Sequence, residues 1–282
     1  MSAACASPWT QLMRIAGAPA PRLFDEKERL FGAAKPSVCL WHDSAAWHPF
    51  ANQVWLLLEE MRLPHVRRTV PLAQYLKPGE QLPAEFLALG PRVSVPVVQL
   101  RNRSASGPVK FDAPLRESSA VDLLHKLSRL FPDRALFPRS PKRRAIVEAL
   151  LTRYSDFQNA LYSLLSGRAG QTAEARYVAV MDEFDAALSG SSIASAPSRM
   201  GGGVDSTGFD GPTDGPFLFG DRPCAIDVLL LPMLERCEAN VPHPLIGGAP
   251  HLALGRWPAL SRMLAAARTP GHSAFAELGG DP

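Results

Sequence analysis

The residue types most able to do chemistry in this chain are histidine and cysteine, and one histidine stands at the start of a predicted helix. His48 directly precedes Pro49, whose fixed φ suits the first helical position. Apolar residues then recur at helical spacing: Phe50, Val54, Leu57, Leu58 and Met61. The unpaired amides and positive potential of a helix start stabilise an anion. An imidazole at position 48 can add a hydrogen bond to such an anion.

The spacing of the other candidate groups gives no support to metal binding or to disulfide formation. His42 lies near His48, but no third histidine, cysteine or carboxylate pattern completes a ligand set. The four cysteines contain no CxxC pair and no short disulfide framework: Cys5, Cys39, Cys224 and Cys237. We therefore expect no metal site. Reduced thiols indicate a reducing compartment, cytoplasmic or organellar, and not secretion.

Length and composition predict a globular chain with a sizeable core. The 282 residues are 46% hydrophobic and 20% charged, which leaves room for two domains. The basic excess is only +3, and the cluster from Arg139 to Arg144 is too short to define a nucleic-acid surface. Apolar runs such as residues 228–234 are far shorter than the ~20 residues of a membrane-spanning helix. We expect no nucleic acid as a partner and no membrane span.

Strand and helix patterns alternate over residues 37–131, after a leader of residues 1–36. The order is strand, helix, strand, short helix, two hairpin strands and helix. In residue numbers, the strands cover 38–42, 65–70, 95–100 and 109–113, and the helices begin near 49, 83 and 120. Residues 43–47 form the predicted loop before the first helix. Because a helix joins the first two strands, they can pair in parallel, which predicts a four-stranded mixed sheet.

Strand patterns disappear after residue 131, and the second half is predicted to be helical over residues 132–275. Two long apolar faces mark helices within residues 145–188, and residues 276–282 form a tail. Residues 189–215 are rich in Gly, Ser, Asp and Pro and cannot build core, so we interpret them as an inserted loop. The fold class expected is α/β followed by all-α.

The segment at residues 47–51, WHPFA, is followed by VW, L and EE at positions 54–60. These residues are similar to the W-C-P-F-C and V-W-x-x-L-E-E segments of the glutathione transferase superfamily. Val95 and Pro96 resemble its Val and cis-Pro pair, and Glu117 and Ser118 its Glu-Ser pair. Residues 215–220, GPFLFG, with Asp227, resemble its G-P-F-L-x-G segment and capping-box Asp. The likeness covers residues 37–275 and is closest to the cysteine-type branch related to omega, lambda and dehydroascorbate-reductase forms.

The resemblance implies a thioredoxin-like domain, then a transferase-type helical bundle, with glutathione as the ligand. A cis Pro96 would turn the Val95 backbone toward a peptide ligand. Ser118 would bind a carboxylate of glutathione and Glu117 its ammonium group. A second interpretation of Glu117 and Ser118 is that they only cap the following helix.

The departure from the family at position 48 leaves the activity open. His48 replaces the nucleophilic Cys and Ala51 the second Cys, and an imidazole cannot form a mixed disulfide, so thiol-disulfide exchange is not expected. One hypothesis is a non-catalytic interaction or assembly subunit that retains glutathione binding. The alternative is an active transferase that conjugates glutathione to a small electrophile, with His48 donating a hydrogen bond to the thiolate. The expected partners are a larger protein assembly or a second copy in a homodimer.

Overall fold

The computed structural model divides the chain into two compact units, Met1–Ala135 and Leu136–Pro282. The residues that the structure describes are 26–45, 48–72, 76, 81–90, 93–102, 104, 108–115, 119–166, 170–190, 215–244 and 248–278.

The first unit is built on a five-stranded mixed sheet. Its strands are β1 (Glu26–Arg29), β2 (Val38–Asp43), β3 (His65–Val70), β4 (Val97–Arg101) and β5 (Phe111–Pro114), in the order β1-β3-β2-β4-β5. The pair β2 and β3 is parallel and the other pairs are antiparallel. The helices are α1 (Pro49–Glu60), α2 (Ala84–Leu87) and α3 (Ala120–Leu130), followed by a 3-10 turn at Pro132–Arg134. The thioredoxin-like fold class is confirmed.

The prediction of four strands was wrong by one, because β1 comes from the segment interpreted as a leader. Its sequence, EKER, carries no apolar alternation, and all four residues are exposed. A period-two pattern arises only where one face of a strand is buried, so this strand gave no signal. Cross-strand contacts hold it instead, among them an ion pair of 2.7 Å between Arg68 Nε and Glu26 Oε2, which face each other in the register.

Burial of β2 and α1 forms the core beneath the candidate site. All six residues of β2 are buried, and so are residues 51–59 of α1. Because α1 joins two neighbouring parallel strands, it must cross one face of the sheet. Strand β2 continues to Asp43, one residue beyond the predicted end, which brings a carboxylate to the end of the strand.

The second unit is helical. Its helices are α4 (Pro141–Leu165), α5 (Gly170–Ser189), α6 (Ala225–Asn240), α7 (Pro258–Ala267) and α8 (Phe275–Leu278). Polar contacts join them: the Tyr154 hydroxyl donates to the Leu229 carbonyl at 3.1 Å in the core, and Trp257 Nε1 donates to Asp182 Oδ1 at 2.7 Å. The predicted insert 189–215 falls mostly on residues 191–214, which lie outside the described residues.

A buried capping box begins α6. Asp227 Oδ2 accepts from the Cys224 amide at 2.8 Å, and Asp227 Oδ1 accepts from the Leu218 amide at 3.3 Å. Burial raises the pKa of Asp227 to about 6. In the loop before this helix, Gly215 lies so close to Gly220 that a Cβ added at Gly215 would overlap the Gly220 backbone. Among the helices described, none is long and apolar enough to cross a membrane.

Candidate functional site

His48 is the N-cap residue of α1, as its place before Pro49 predicts. Its carbonyl oxygen accepts the first bonds of the helix, from the Ala51 amide at 3.0 Å and the Asn52 amide at 3.1 Å. The side chain is half-buried, and its ring lies 5.4 Å from the ring of Phe50. The imidazole of His48 therefore lies at the start of this helix.

The carboxylate of Asp43, which the sequence predicts to lie in a loop, is found at the same helix start. Asp43 ends β2 with only 1% of its surface exposed, and its Oδ1 accepts a hydrogen bond of 3.2 Å from the His48 amide. The first turn of α1 contains no acidic residue of its own. The buried Asp43 therefore brings a negative group to the place where the amides of α1 would stabilise another anion.

His42 is turned into the core and held there through both ring nitrogens. Its Nδ1 donates to the Asp43 carbonyl oxygen at 2.7 Å, and its Nε2 lies 2.8 Å from Asn52 Oδ1. Burial lowers the pKa of His42, and the ring meets Trp55 edge to face. With both nitrogens engaged, this side chain has no position left for a metal ion. No group of three metal-ligating side chains occurs in the described part of the chain.

The cysteines that the structure describes are buried and poorly suited to act as nucleophiles. Cys39 lies in β2, and burial raises its pKa to about 12; burial raises the pKa of Cys237 to about 12 as well. The pKa of Cys224 is also raised, first by burial and then by Asp227. Since the thiolate is the reactive form, none of these three can supply the sulfur that position 48 lacks.

The peptide bond between Val95 and Pro96 is cis, as the resemblance to the family implies. Val95 is buried, and Pro96 separates it from Val97, the first residue of β4. Binding of a peptide ligand by the Val95 backbone stays a prediction.

Ser119, and not Ser118, is the N-cap residue of α3. Its Oγ accepts from the Asp122 amide at 3.1 Å and donates to Asp122 Oδ2 at 2.7 Å. Glu117 and Ser118 lie outside the described residues, so their contacts with glutathione stay predictions. The capping role considered for them is filled by the next residue, a Ser with an Asp three positions later, which is itself a capping signal in the sequence.

Residues 47–121 match the family model described as the N-terminal domain of glutathione S-transferase. The resemblance to the glutathione transferase superfamily is confirmed. The matched segment begins one residue before His48 and ends inside α3, so it contains every predicted glutathione-binding residue: Val95, Pro96, Glu117 and Ser118. Protein IN2-1 homolog A from Oryza sativa subsp. japonica is 28% identical over 137 residues, 47% of this chain. The match spans 46% of that relative's length.

Solved glutathione transferase structures share the fold over most of both chains. Omega 2S from Trametes versicolor has a TM-score of 0.60 at 16% identity, covering 87% of this chain and 92% of that one. The tau-class enzyme MiGSTU from Mangifera indica has a TM-score of 0.53 at 14% identity, covering 88% and 99%. A transferase from Methylobacterium radiotolerans, solved with glutathione sulfonate, has a TM-score of 0.53 at 16% identity, covering 85% and 93%. At these identities the likeness establishes the fold alone.

Proposed function

We propose that this protein is a glutathione-transferase-like subunit with a degenerate active site, which retains a cleft for glutathione and acts through contacts with other proteins. Its place of action is a reducing compartment, cytoplasmic or organellar. The observation that carries the proposal is the hydrogen bond of 3.2 Å from the His48 amide to the buried Asp43 carboxylate.

Two features of the helix start oppose catalysis. Position 48 carries no sulfur, so the protein cannot form and exchange a mixed disulfide there. The Asp43 carboxylate also repels a second negative charge, and this includes the thiolate that glutathione itself would present for conjugation. A site that stabilises a thiolate places hydrogen-bond donors and positive potential where the negative charge develops, and the charge of Asp43 opposes that potential.

Support for retained glutathione binding comes from the family's ligand-binding motifs outside the helix start. The pair Val95 and Pro96 and the pair Glu117 and Ser118 resemble those of the family. Ser119 already caps α3, so Ser118 is not needed as the cap. These features would bind the ligand's peptide and γ-glutamyl groups and do not need a nucleophile. Binding and catalysis can therefore be lost separately.

An active transferase is the second candidate, and one observation favours it. The half-buried His48 ring stands at the helix start, where an imidazole can donate a hydrogen bond to the glutathione thiolate. If this donor outweighs the repulsion from Asp43, the enzyme conjugates glutathione to a small electrophile.

Calorimetric titration with glutathione, followed by turnover assays on the same preparation, separates the two candidates. The assays are glutathione conjugation to a chlorodinitrobenzene and glutathione-dependent reduction of dehydroascorbate, each against heat-inactivated protein. We expect binding without turnover, and the same result for His48→Ala. Turnover that falls at least about tenfold in His48→Ala would establish the transferase instead, because that loss is typical of removing a donor to a developing anion.

The assembly role is tested by the size of the protein in native extracts. We expect a particle larger than a homodimer, and its loss after deletion of residues 1–25 and 191–214, which leaves β1 and α5 intact. A monomer or homodimer that the deletion does not change would contradict the assembly role.

A further inference from the structure

The helix α1 ends in a conformation that normally requires glycine. The Leu63 amide donates to the Leu58 carbonyl at 2.9 Å and the Arg62 amide to the Glu59 carbonyl at 2.8 Å, the two bonds of a Schellman motif. Arg62 occupies the left-handed position of this motif with φ 49°. A residue with a side chain is strained there, so an arginine at this position destabilises the helix end relative to glycine.

A second strained residue lies against the first. Phe31 has φ 48° and is followed by Gly32 with φ 84°, in a turn closed by a bond of 2.8 Å from the Ala33 amide to the Leu30 carbonyl. Phe31 and Gly32 are the two central residues of this turn. A turn with positive φ at both central positions favours Gly and Asn there, so a bulky side chain such as that of Phe31 is disfavoured. Phe31 and Arg62 are the non-glycine residues with positive φ in the described part of the chain.

The two strained positions bring several arginines together around one aromatic ring. The guanidinium carbons of Arg29 and Arg62 each lie 5.2 Å from the centre of the Phe31 ring. Arg134 Nη1 donates to the Arg62 carbonyl at 2.6 Å and so stands beside them. We call Arg29, Phe31, Arg62 and Arg134 the Phe31 patch.

The patch carries positive charge that the described residues do not balance. Arg29 forms an ion pair of 3.3 Å with Glu59, whose side chain is only 9% exposed and whose other oxygen lies 3.5 Å from His65. Within the described residues, no carboxylate lies at ion-pair distance from Arg62 or Arg134. Both side chains are exposed. Two guanidinium groups therefore remain available to an outside anion, beside a half-buried aromatic ring.

We propose that the Phe31 patch docks an acidic segment of a protein partner. Guanidinium forks bind carboxylates through paired hydrogen bonds, and the ring between them offers apolar contact area. A duplex or single strand of nucleic acid needs a longer basic stripe than these arginines provide. The proposal rests on the proposed assembly function and names the chemistry of its partner.

The strained position of Arg62 allows a variant that removes the charge without weakening the fold. Arg62→Gly deletes one guanidinium and relieves the positive φ, so its melting temperature should equal or exceed that of the wild type. Arg134→Gln is the second variant. Arg262→Ala, on the exposed face of α7, removes the same charge from the other unit and is the matched control.

The test is the binding of a fluorescein-labelled hexaglutamate peptide to the full chain, measured by anisotropy at low salt. We expect Arg62→Gly and Arg134→Gln each to weaken binding about two- to fivefold, as for exposed charge pairs, and the double variant about tenfold. Arg262→Ala should bind like the wild type. Glutathione titration should be the same in all of them, which separates this site from the glutathione cleft.

Three results would overturn the proposal. The first is failure of the wild type to bind the peptide at low salt. The second is an Arg262→Ala variant that weakens binding as much as Arg62→Gly, which would show a response to net charge alone. The third is tighter binding of an oligothymidylate of equal charge, lost in Arg62→Gly, which would assign the patch to nucleic acid. The native particle size tests the assembly function separately, so failure of the patch and failure of that function are distinguishable.

Discussion

Returning a thiol to position 48 should give an ordinary cysteine and not an activated one, because of Asp43. In His48→Cys the sulfur would lie roughly 5 Å from the Asp43 carboxylate, since the position-48 amide is already hydrogen-bonded to it. Repulsion between a thiolate and this carboxylate at that distance is about 3 kcal/mol at an effective dielectric constant of about 20. The helix start offers only about 0.3–1 kcal/mol in the opposite direction. Repulsion therefore dominates.

The repulsion between the thiolate at position 48 and Asp43 can be measured by replacing Asp43 with its neutral isostere, asparagine. An asparagine side chain keeps an oxygen that accepts the bond from the position-48 amide, so Asp43→Asn removes the charge and preserves the loop. We expect the thiol of His48→Cys to have a pKa at or above the ordinary ~8.5. The double variant Asp43→Asn, His48→Cys should have a pKa lower by about one to two pH units, with partial exposure reducing the full Coulomb effect.

The pH dependence of iodoacetamide alkylation measures this pKa directly. Cys39, Cys224 and Cys237 are buried, so they react slowly, and Cys5 is replaced by Ser in every variant. Thermal unfolding of each variant checks that the fold persists. A thiol pKa below about 7 in His48→Cys, unchanged by Asp43→Asn, would refute the reasoning, because it would show that the helix start stabilises a thiolate despite the carboxylate.

Three further predictions concern the elements around the site. Ser119→Ala should lower the free energy of unfolding by about 1 kcal/mol in urea titrations without changing glutathione affinity. Ser118→Ala should instead weaken glutathione binding about ten- to a hundredfold in calorimetry, or about 1.5–3 kcal/mol. Asp227 has a pKa of about 6 in the folded state, above its ordinary 3.8, so the folded state binds the proton more tightly and stability should fall as the pH rises between these values. Asp227→Asn should remove this pH dependence of the free energy of unfolding, measured by urea unfolding at several pH values. Gly215→Ala should lower the melting temperature because its Cβ meets backbone, whereas Gly255→Ala, with open space around it, should not.

The interior of the fold could be predicted from the sequence, and its charged edge could not. The apolar pattern of β2 and α1 predicts a buried strand and the helix that crosses the sheet, because burial imposes a period on the residues. Strand β1 buries none of its four residues and is held by pairs such as Glu26 and Arg68, which have no period. Its partner strand lies more than 35 residues later, so only the folded chain brings the two together.

In the candidate site, too, some residues could be placed from the sequence and others could not. Pro49 marks the helix start locally, and therefore His48 could be placed correctly from the sequence. The role of Asp43 depends on where β2 ends and on the path of the loop to α1, which no local pattern specifies. Ser119 could have been identified, since an Asp three residues later is a capping signal, but the resemblance to the family's Glu-Ser pair favoured its neighbour Ser118.

The carboxylate at position 43 and the histidine at position 48 together set the charge and the hydrogen bonding at the helix start. A cysteine-to-histidine replacement alone would leave a positive helix start that could still bind the thiolate of glutathione. Because Asp43 accepts a hydrogen bond from the His48 amide, a negative group of the protein itself already lies in the positive potential of the helix start, and this bond stabilises the loop. Under the proposed function, the dipole of α1 contributes to folding and not to catalysis. Restoring the sulfur alone should for that reason fail to restore the chemistry, and the charge of Asp43 is the part that must also be removed.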